Sequence, residues 1–499
     1  MPSKVSAILL RVWTLLLPPV GLVLQWRQPG SVGRKIFGTL GILLYCLPYS
    51  VGVIWLLIKL TGLQVEWRGG FPPVLTYSKT LPNYEAVERN RAQQAAAAPK
   101  AQPDATATNN APYWTDFRGP NRDGHYDELP ILTNWPGSGL RELWRQPVGA
   151  GYASFVIAEG KAFTIEQRRE LEVVAAYDIR TGRELWTNGW PALFQESMGG
   201  DGPRATPSYH AGRIFALGAE GELRCLEAAT GHKVWAKNIL GDNGAVNLTW
   251  GMAASPLVVD GEVIVQPGGP NGKSVCAYDE ATGGVRWKAL SDPAAYSSPM
   301  VVDLAGRRQL LVVTANRAVG LAINDGKLLW EHPWVVNLNN RNIAQPIMLG
   351  ANRFFLSAGY GTGCEAVEVT GASSGFSTRT VWQNKWLKNK FTSSVYWQGC
   401  IYGLDEDILT CLDAQTGERK WKDGRYGYGQ LLLASGHLVI LSGDGKLALV
   451  KAIPERRLEM AQFGALQGKT WNHPAMAHGR LLVRNAVEMA CFDISEGTR

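Results

Sequence analysis

The chain has 499 residues, 50 Lys or Arg against 43 Asp or Glu, and a formal net charge of +7. The excess is local: the first 111 residues hold 11 Lys or Arg and 4 Asp or Glu, and the remaining 388 hold 39 of each. A body with no net charge offers no global field for phosphates, which excludes nucleic-acid binding as a leading function.

In chain order, residues 5–26 and 36–60 are each apolar and long enough to cross a bilayer as a helix. Arg11 interrupts the first and no small-x-small cleavage pattern follows it, so a retained two-helix transmembrane anchor over residues 1–62 is expected rather than a cleaved signal. Cys46 follows the bulky Tyr45, which disfavours a lipoprotein. Arg27, Arg34 and Lys35 between the two segments place that loop in the cytoplasm and both ends of the anchor outside. Residues 63–112, with the stretch QQAAAAPKAQPDATATNNAP, carry few large apolar side chains and read as a flexible linker.

From residue 113 onward one unit recurs: a strand, an Asx-x-x-Thr-Gly turn and a second strand ending in tryptophan. AYDIRTGRELW, CLEAATGHKVW, AYDEATGGVRW and CLDAQTGERKW repeat it, and LAINDGKLLW is one residue shorter. Asp178, Asp279, Asn324 and Asp413 can accept backbone hydrogen bonds within the turn. Gly182, Gly283, Gly326 and Gly417 supply the positive φ that ends it. A period near 50 residues signals stacked or radially arranged units.

Outer-strand tryptophans stand at Trp144, Trp186, Trp235, Trp287, Trp330, Trp382 and Trp421, placed to dock blade on blade, and the eighth place falls near Leu458 to Met460. A second series marks the innermost strands, starting at Tyr152, Arg204, Met252, Tyr296, Ile343, Phe391, Gly429 and Asn472. Both series count eight. The predicted fold is all-β, an eight-bladed β-propeller of four-stranded blades over residues 113–499. RELWRQPVG, an outer strand with no blade before it, is expected to complete the C-terminal blade and close the ring.

The seven cysteines include no CxxC pair, and metal-ligand spacing is absent. Cys400 and Cys411 flank one hairpin, so a disulfide between them is one expectation, set against single packed thiols. His210, His232, His437 and His478 fall in or beside turns; His473, next to Asn472, lies near the mouth without a carboxylate that sequence can pair with it. After blade docking and the anchor, Trp250, Trp334, Trp397 and Trp471 remain as candidates for a binding surface.

The A-x-D-x-x-T-G-x-x-x-W signature resembles the repeats of the pyrroloquinoline quinone (PQQ) propeller superfamily, which includes quinoprotein alcohol dehydrogenases and BamB-like proteins. WTDFRGPNRDG, GDGPRATP, KNKFTSS and GKTWNHPA resemble a membrane-anchored bacterial subgroup of PQQ-like repeat proteins. For a dehydrogenase the resemblance implies adjacent cysteines over the quinone and calcium held by hard oxygen ligands. No two cysteines are adjacent here, and Asn472 alone among the inner-strand starts is a suitable calcium ligand.

Loops entering the inner strands share one face, so Arg204, Lys390, Arg425, Tyr428, Lys469, Trp471 and Asn472 are expected around a central mouth suited to an anionic or planar group. The alternative is that they cap strand ends and bond loop carbonyls. The sequence therefore reads as a binding or scaffolding propeller, not an enzyme. No cofactor or metal is expected. The propeller is held at the inner membrane facing the periplasm or exterior, with a protein partner in the cell envelope and, through the BamB resemblance, a role in envelope protein assembly. The competing reading is a PQQ- and calcium-dependent dehydrogenase.

Overall fold

The computed structural model describes residues 13–27, 29–61, 63–66, 74–77, 82–97, 111–196, 199–336, 341–372 and 375–496. Two units divide the chain, Met1–Trp67 with Pro72–Lys79 and Arg68–Phe71 with Thr80–Arg499.

In the first unit, one helix among the described residues is long and apolar enough to cross a membrane: Val32–Thr61, with Val32–Leu57 as its candidate span. Of the two expected spanning helices, the second is seen here. The described part of the first segment breaks at Leu17 into a helical turn at 13–16 and the ten-residue helix Pro18–Arg27. Pro18 and Pro19 bring no N–H donors and push the residue before them out of the helical region, which accounts for the break. Ten residues rise about 15 Å, half the hydrocarbon thickness. Residues 5–12 of that segment lie outside the described residues. Trp26 Nε1 donates to Thr39 Oγ1 at 2.9 Å and Tyr45 OH to the Leu15 carbonyl at 3.2 Å, folding the two segments into a hairpin.

The linker expected at 63–112 contains secondary structure. Leu63–Glu66 pairs antiparallel with Val74–Tyr77, and Tyr84–Ala97 is a helix whose cap, Asn83 Oδ1, accepts from Ala86 N at 3.0 Å. Its Ala, Gln, Glu and Arg residues are strong helix formers, and tertiary contacts fix it. Val87 is buried, Arg91 Nη2 donates to the Pro147 carbonyl at 2.8 Å, and Arg91 Nε donates to Glu184 at 3.1 Å. Residues 98–110 of the expected linker lie outside the described residues.

Eight blades follow. Blade 1 runs from Val156–Ala158 to Glu184–Pro191, blade 2 from Ser208–His210 to Lys233–Asn238, blade 3 from Leu257–Val259 to Val285–Ala289 and blade 4 from Met300–Leu304 to Leu328–Pro333. Blade 5 runs from Ile347–Gly350 to Gly375–Asn384, blade 6 from Val395–Trp397 to Arg419–Arg425, and blade 7 from Gln430–Ala434 to Leu458–Gly464. Blade 8 takes three strands from Ala475–Asp493 and its outermost, Arg141–Pro147, from the other end of the propeller. The ring closes as expected.

The register explains the repeat more fully than turn chemistry does. In seven blades the outer-strand Trp stands opposite a small residue of the third strand: Ala176, Cys225, Ala277, Gly320, Ala366, Cys411 or Cys491. Three of the cysteines thus occupy a position that must be small beneath an indole. In blade 7 the equivalent of the Trp is Ala461, opposite Leu449, rather than Leu458 to Met460.

Each indole then reaches the next blade. Trp144 Nε1 donates to the Ile179 carbonyl at 3.0 Å, Trp186 to Ala228 at 3.1 Å, Trp235 to Glu280 at 3.0 Å, Trp287 to Ile323 at 2.9 Å, Trp382 to Ala414 at 3.1 Å and Trp421 to Ile453 at 3.1 Å. Gly182 and Gly231 combine positive φ with a position at which a Cβ would overlap the preceding blade's indole. The Thr-Gly turn is therefore also the seat of a neighbour's tryptophan. Trp330 is the exception: its N–H goes to Gln309 within its own blade at 2.6 Å, because blade 5 replaces the Thr-Gly turn with the long strands Gly363–Ala372 and Gly375–Asn384. In the shortened turn before it, Asp325 rather than Asn324 accepts the backbone bond, from Lys327 N at 3.0 Å.

Cys400 stands opposite Asp413 and Cys411 opposite Tyr402, and both thiols are free. Trp334 and Trp397 pack against blade cores rather than forming a surface.

A belt of side chains links the inner strands around the channel. Thr206 Oγ1 accepts from Ser154 N at 2.9 Å, Ser298 Oγ from Ser255 N at 2.8 Å, and Ser393 Oγ from Gln345 N at 2.9 Å. Residues 113–126 fill the channel. Ile157 N donates to the Trp114 carbonyl at 2.8 Å, Tyr209 N to Thr115 at 2.8 Å and Leu433 N to Gly124 at 2.8 Å, while His125–Tyr126 adds a parallel strand inside blade 7. Arg118 and Arg122 within this plug are 0% and 2% exposed. Arg122 donates to the carbonyls of Ser255 at 3.2 Å, Pro299 at 2.9 Å and Pro256, and pairs with Asp116 at 2.8 Å.

Candidate functional site: the mouth of the propeller

Each inner strand runs away from the mouth, so the hairpin between a blade's second and third strands returns to it. The mouth face is therefore built from two loop sets: those entering the inner strands and those hairpins.

Cations and aromatic rings alternate around this face. Arg204 lies over Phe194 at 4.9 Å and over Tyr152 at 5.4 Å, and its guanidinium donates to the carbonyls of Gly202 at 2.6 Å and Gly200 at 2.9 Å. Tyr152 stacks on Trp471 at 5.6 Å, and Lys469 sits over Trp471 at 3.8 Å. The hydroxyl of Tyr152 and the ammonium of Lys469 both donate to the Gly199 carbonyl. Trp471 continues to Phe391 at 4.9 Å and Phe391 to Tyr428 at 5.1 Å. Lys390 bonds the Tyr428 hydroxyl at 2.9 Å and lies over Tyr360 at 5.2 Å. Arg341 bridges Tyr360 at 5.1 Å and Trp250 at 4.5 Å, and Trp250 meets Tyr296 at 5.8 Å.

Burial shapes the charges. It pushes the Tyr152 hydroxyl well above its usual range and lowers Arg204. Lys390 is lowered by burial against the opposing pull of Glu406, 3.8 Å away, and Glu406 is raised by its own burial. Desolvated cations over ring faces hold about 2 kcal/mol each where water is excluded, so the ring is a stiff surface.

Of the expected site residues, Arg204, Lys390, Tyr428, Lys469 and Trp471 come together here. Two do not. Arg425 ends the outer strand of blade 6, exposed and paired with Asp407 at 2.5 Å. Asn472 is fully buried and clasps blade 8 to blade 1, its Nδ2 donating to the carbonyls of Gly151 at 3.1 Å and Ala153 at 3.0 Å. His473 lies in the channel with its ring edge on Phe117 at 5.7 Å. Burial, reinforced by the Arg118 charge, pushes it down to about 3, so it stands neutral. Phe194, Arg341 and Tyr360 are additions: Tyr360 comes from a hairpin between second and third strands, a loop set the inner-strand series does not mark.

A family model described as outer membrane protein assembly factor BamB, of PQQ-like repeats, matches residues 169–423, just over half of the sequence. The chain belongs to this family. Among solved structures it is similar to BamB from Moraxella catarrhalis, at 14% identity and a TM-score of 0.51, covering 71% of this chain and 99% of that one. It is also similar to the quinohemoprotein alcohol dehydrogenase of Comamonas testosteroni, at 15% identity and a TM-score of 0.56, covering 82% of this chain and 85% of that one. At these identities the likeness shows the shared fold. Among curated proteins the same Comamonas dehydrogenase matches at 32% identity over 135 residues, and a 1-butanol dehydrogenase (cytochrome c) of Thauera butanivorans at 30% over 137. These matches cover 26% and 27% of this chain, which spans 18% of the length of each relative.

Proposed function

We propose that this chain is a membrane-anchored, extracytoplasmic binding module whose propeller mouth receives a protein partner of the cell envelope. The observation that carries the reading is the composition of the mouth: Trp, Tyr and Arg drawn from loops of seven blades and held rigid by one another, the residue types that dominate protein-binding hot spots. The BamB family description supports a part in envelope protein assembly. Arg27, Arg34 and Lys35 precede the span Val32–Leu57 or lie in its first turn, so the positive-inside rule leaves the chain beyond Thr61 outside the cytoplasm. A second spanning helix would need residues 5–12 to extend Pro18–Arg27.

The dehydrogenase reading draws on the short matches to quinohemoproteins. A calcium-held quinone needs several converging hard oxygens. Among the described residues no three His, Cys, Asp or Glu side chains cluster as a metal site; Asn472 commits its Nδ2 to two backbone carbonyls and keeps a buried Oδ1 without a partner, one hard oxygen where several must converge. This favours the binding reading over the dehydrogenase.

The test is cross-linking in intact cells from a photoreactive residue placed at Thr249 on the mouth face. A defined adduct is expected with the native chain. Lys469→Glu and Arg204→Glu, checked by melting to be folded, should reduce it about tenfold, as loss of a hot-spot residue does. An adduct unchanged in both variants would contradict the proposal.

A further inference from the structure

To one side of the mouth, the loops that follow blades 2 and 3 and the hairpin between the second and third strands of blade 3 line an open cleft of about 780 Å³, with Arg341 at its edge. Ligand sites for small molecules fall in this size range. Its walls divide by chemistry. Leu248, Trp250, Pro270, Pro293 and Tyr296 present apolar and ring surfaces, and Arg341 is the one charged side chain among the lining residues.

The walls are pinned before any ligand arrives. Asn243, 1% exposed, donates through Nδ2 to the Ile239 carbonyl at 2.8 Å and to Tyr278 Oη at 3.0 Å. Asn247 Nδ2 donates to the Ala219 carbonyl at 3.0 Å. The Arg341 guanidinium lies over Trp250 at 4.5 Å and Tyr360 at 5.1 Å and is hydrogen-bonded to the Tyr360 hydroxyl. A guanidinium carries five N–H donors in a planar fork, so one held in this way keeps donors for an oxygen acceptor such as a carboxylate. A preformed apolar slot with one fixed cation at its edge fits one kind of occupant.

We propose that this cleft is a binding site for an amphipathic carboxylate, a flat apolar body seated against Trp250 and Tyr296 with its carboxylate on Arg341. The cleft shares Trp250, Tyr296 and Arg341 with the mouth, but it is read with a small ligand and Arg341→Gln whereas the partner is read by cross-linking with Lys469→Glu and Arg204→Glu, so the two readings can fail separately.

The experiment uses the full chain in detergent, titrated with 3-phenylpropanoate and with the isosteric neutral 3-phenylpropanamide, and reads binding by ligand-observed NMR saturation transfer. The acid should bind at least about tenfold more tightly than the amide, the ratio a charge-assisted bidentate contact supplies. Arg341→Gln should bring the acid down to the affinity of the amide, and Trp250→Ala should weaken both. His232→Ala, on an exposed turn of blade 2, should leave both unchanged. Equal binding of acid and amide to the native chain, binding of neither, or an acid preference that survives Arg341→Gln would overturn the proposal.

Discussion

Replacing Arg122 with Met should cost the propeller about 3–5 kcal/mol, the loss expected when one partner of a buried, hydrogen-bonded charge pair is removed. Arg122 is 2% exposed and bonds carbonyls at the inner ends of blades 3 and 4 as well as Asp116. A methionine fills the volume but takes the guanidinium from the Ser255 and Pro299 carbonyls and from Asp116, while the Pro256 carbonyl keeps only the Ser208 hydroxyl. Denaturant unfolding of the variant should show a lower midpoint with an unchanged slope. The control is Arg308→Met, whose partner Asp260 is 54% exposed and whose own side chain is 50% exposed. There the change should stay within about 0.5 kcal/mol. Similar effects at both positions would show that the plug is decoration and not a hub.

A larger effect is expected from the closing strand. A chain beginning at Gly149 lacks both the plug and Arg141–Pro147, so blade 8 keeps three strands and Glu488–Asp493 becomes an open edge. Exposed edges pair with other chains. This form should collect in aggregates and show no cooperative melt, whereas a chain beginning at Pro82 should melt in one transition. Equal melting temperatures for the two would contradict the closure account.

Blade number, closure and the turn motif were legible in the sequence because each leaves a periodic mark. Asp178 accepting from Arg180 N at 2.9 Å and Thr181 N at 3.0 Å is the turn that the Asp-x-x-Thr-Gly spacing predicts. What the sequence hid were one-off features. The plug occurs once, and nothing local to WTDFRGPNRDG says that its arginines lie inside a channel. The helix Tyr84–Ala97 lacks a broad apolar face; it is held by Val87 and by the Arg91 and Gln94 hydrogen bonds to residues far away in sequence. Asn472 and Arg425 were misplaced for opposite reasons. Position near the mouth does not say whether a side chain turns inward to satisfy a neighbouring blade, as Asn472 does, or outward to a surface carboxylate, as Arg425 does. Within the described part of the expected span 5–26, Pro18 and Pro19 mark a helix break at Leu17 that a count of apolar residues does not register.

The Trp-ended repeat itself proves to be an interblade clasp: a small residue beneath the indole, a glycine from the next turn above it and a carbonyl for its N–H. Every part of the family signature is used in holding the ring together. The central claim is that this propeller recognises a partner rather than oxidising a substrate. It is tested most directly by titrating the full chain in detergent with PQQ and calcium while following reduction of an artificial dye in the presence of primary alcohols. The account predicts no saturable quinone uptake at micromolar concentration and no alcohol-dependent dye reduction. Stoichiometric uptake accompanied by alcohol-dependent reduction would contradict it.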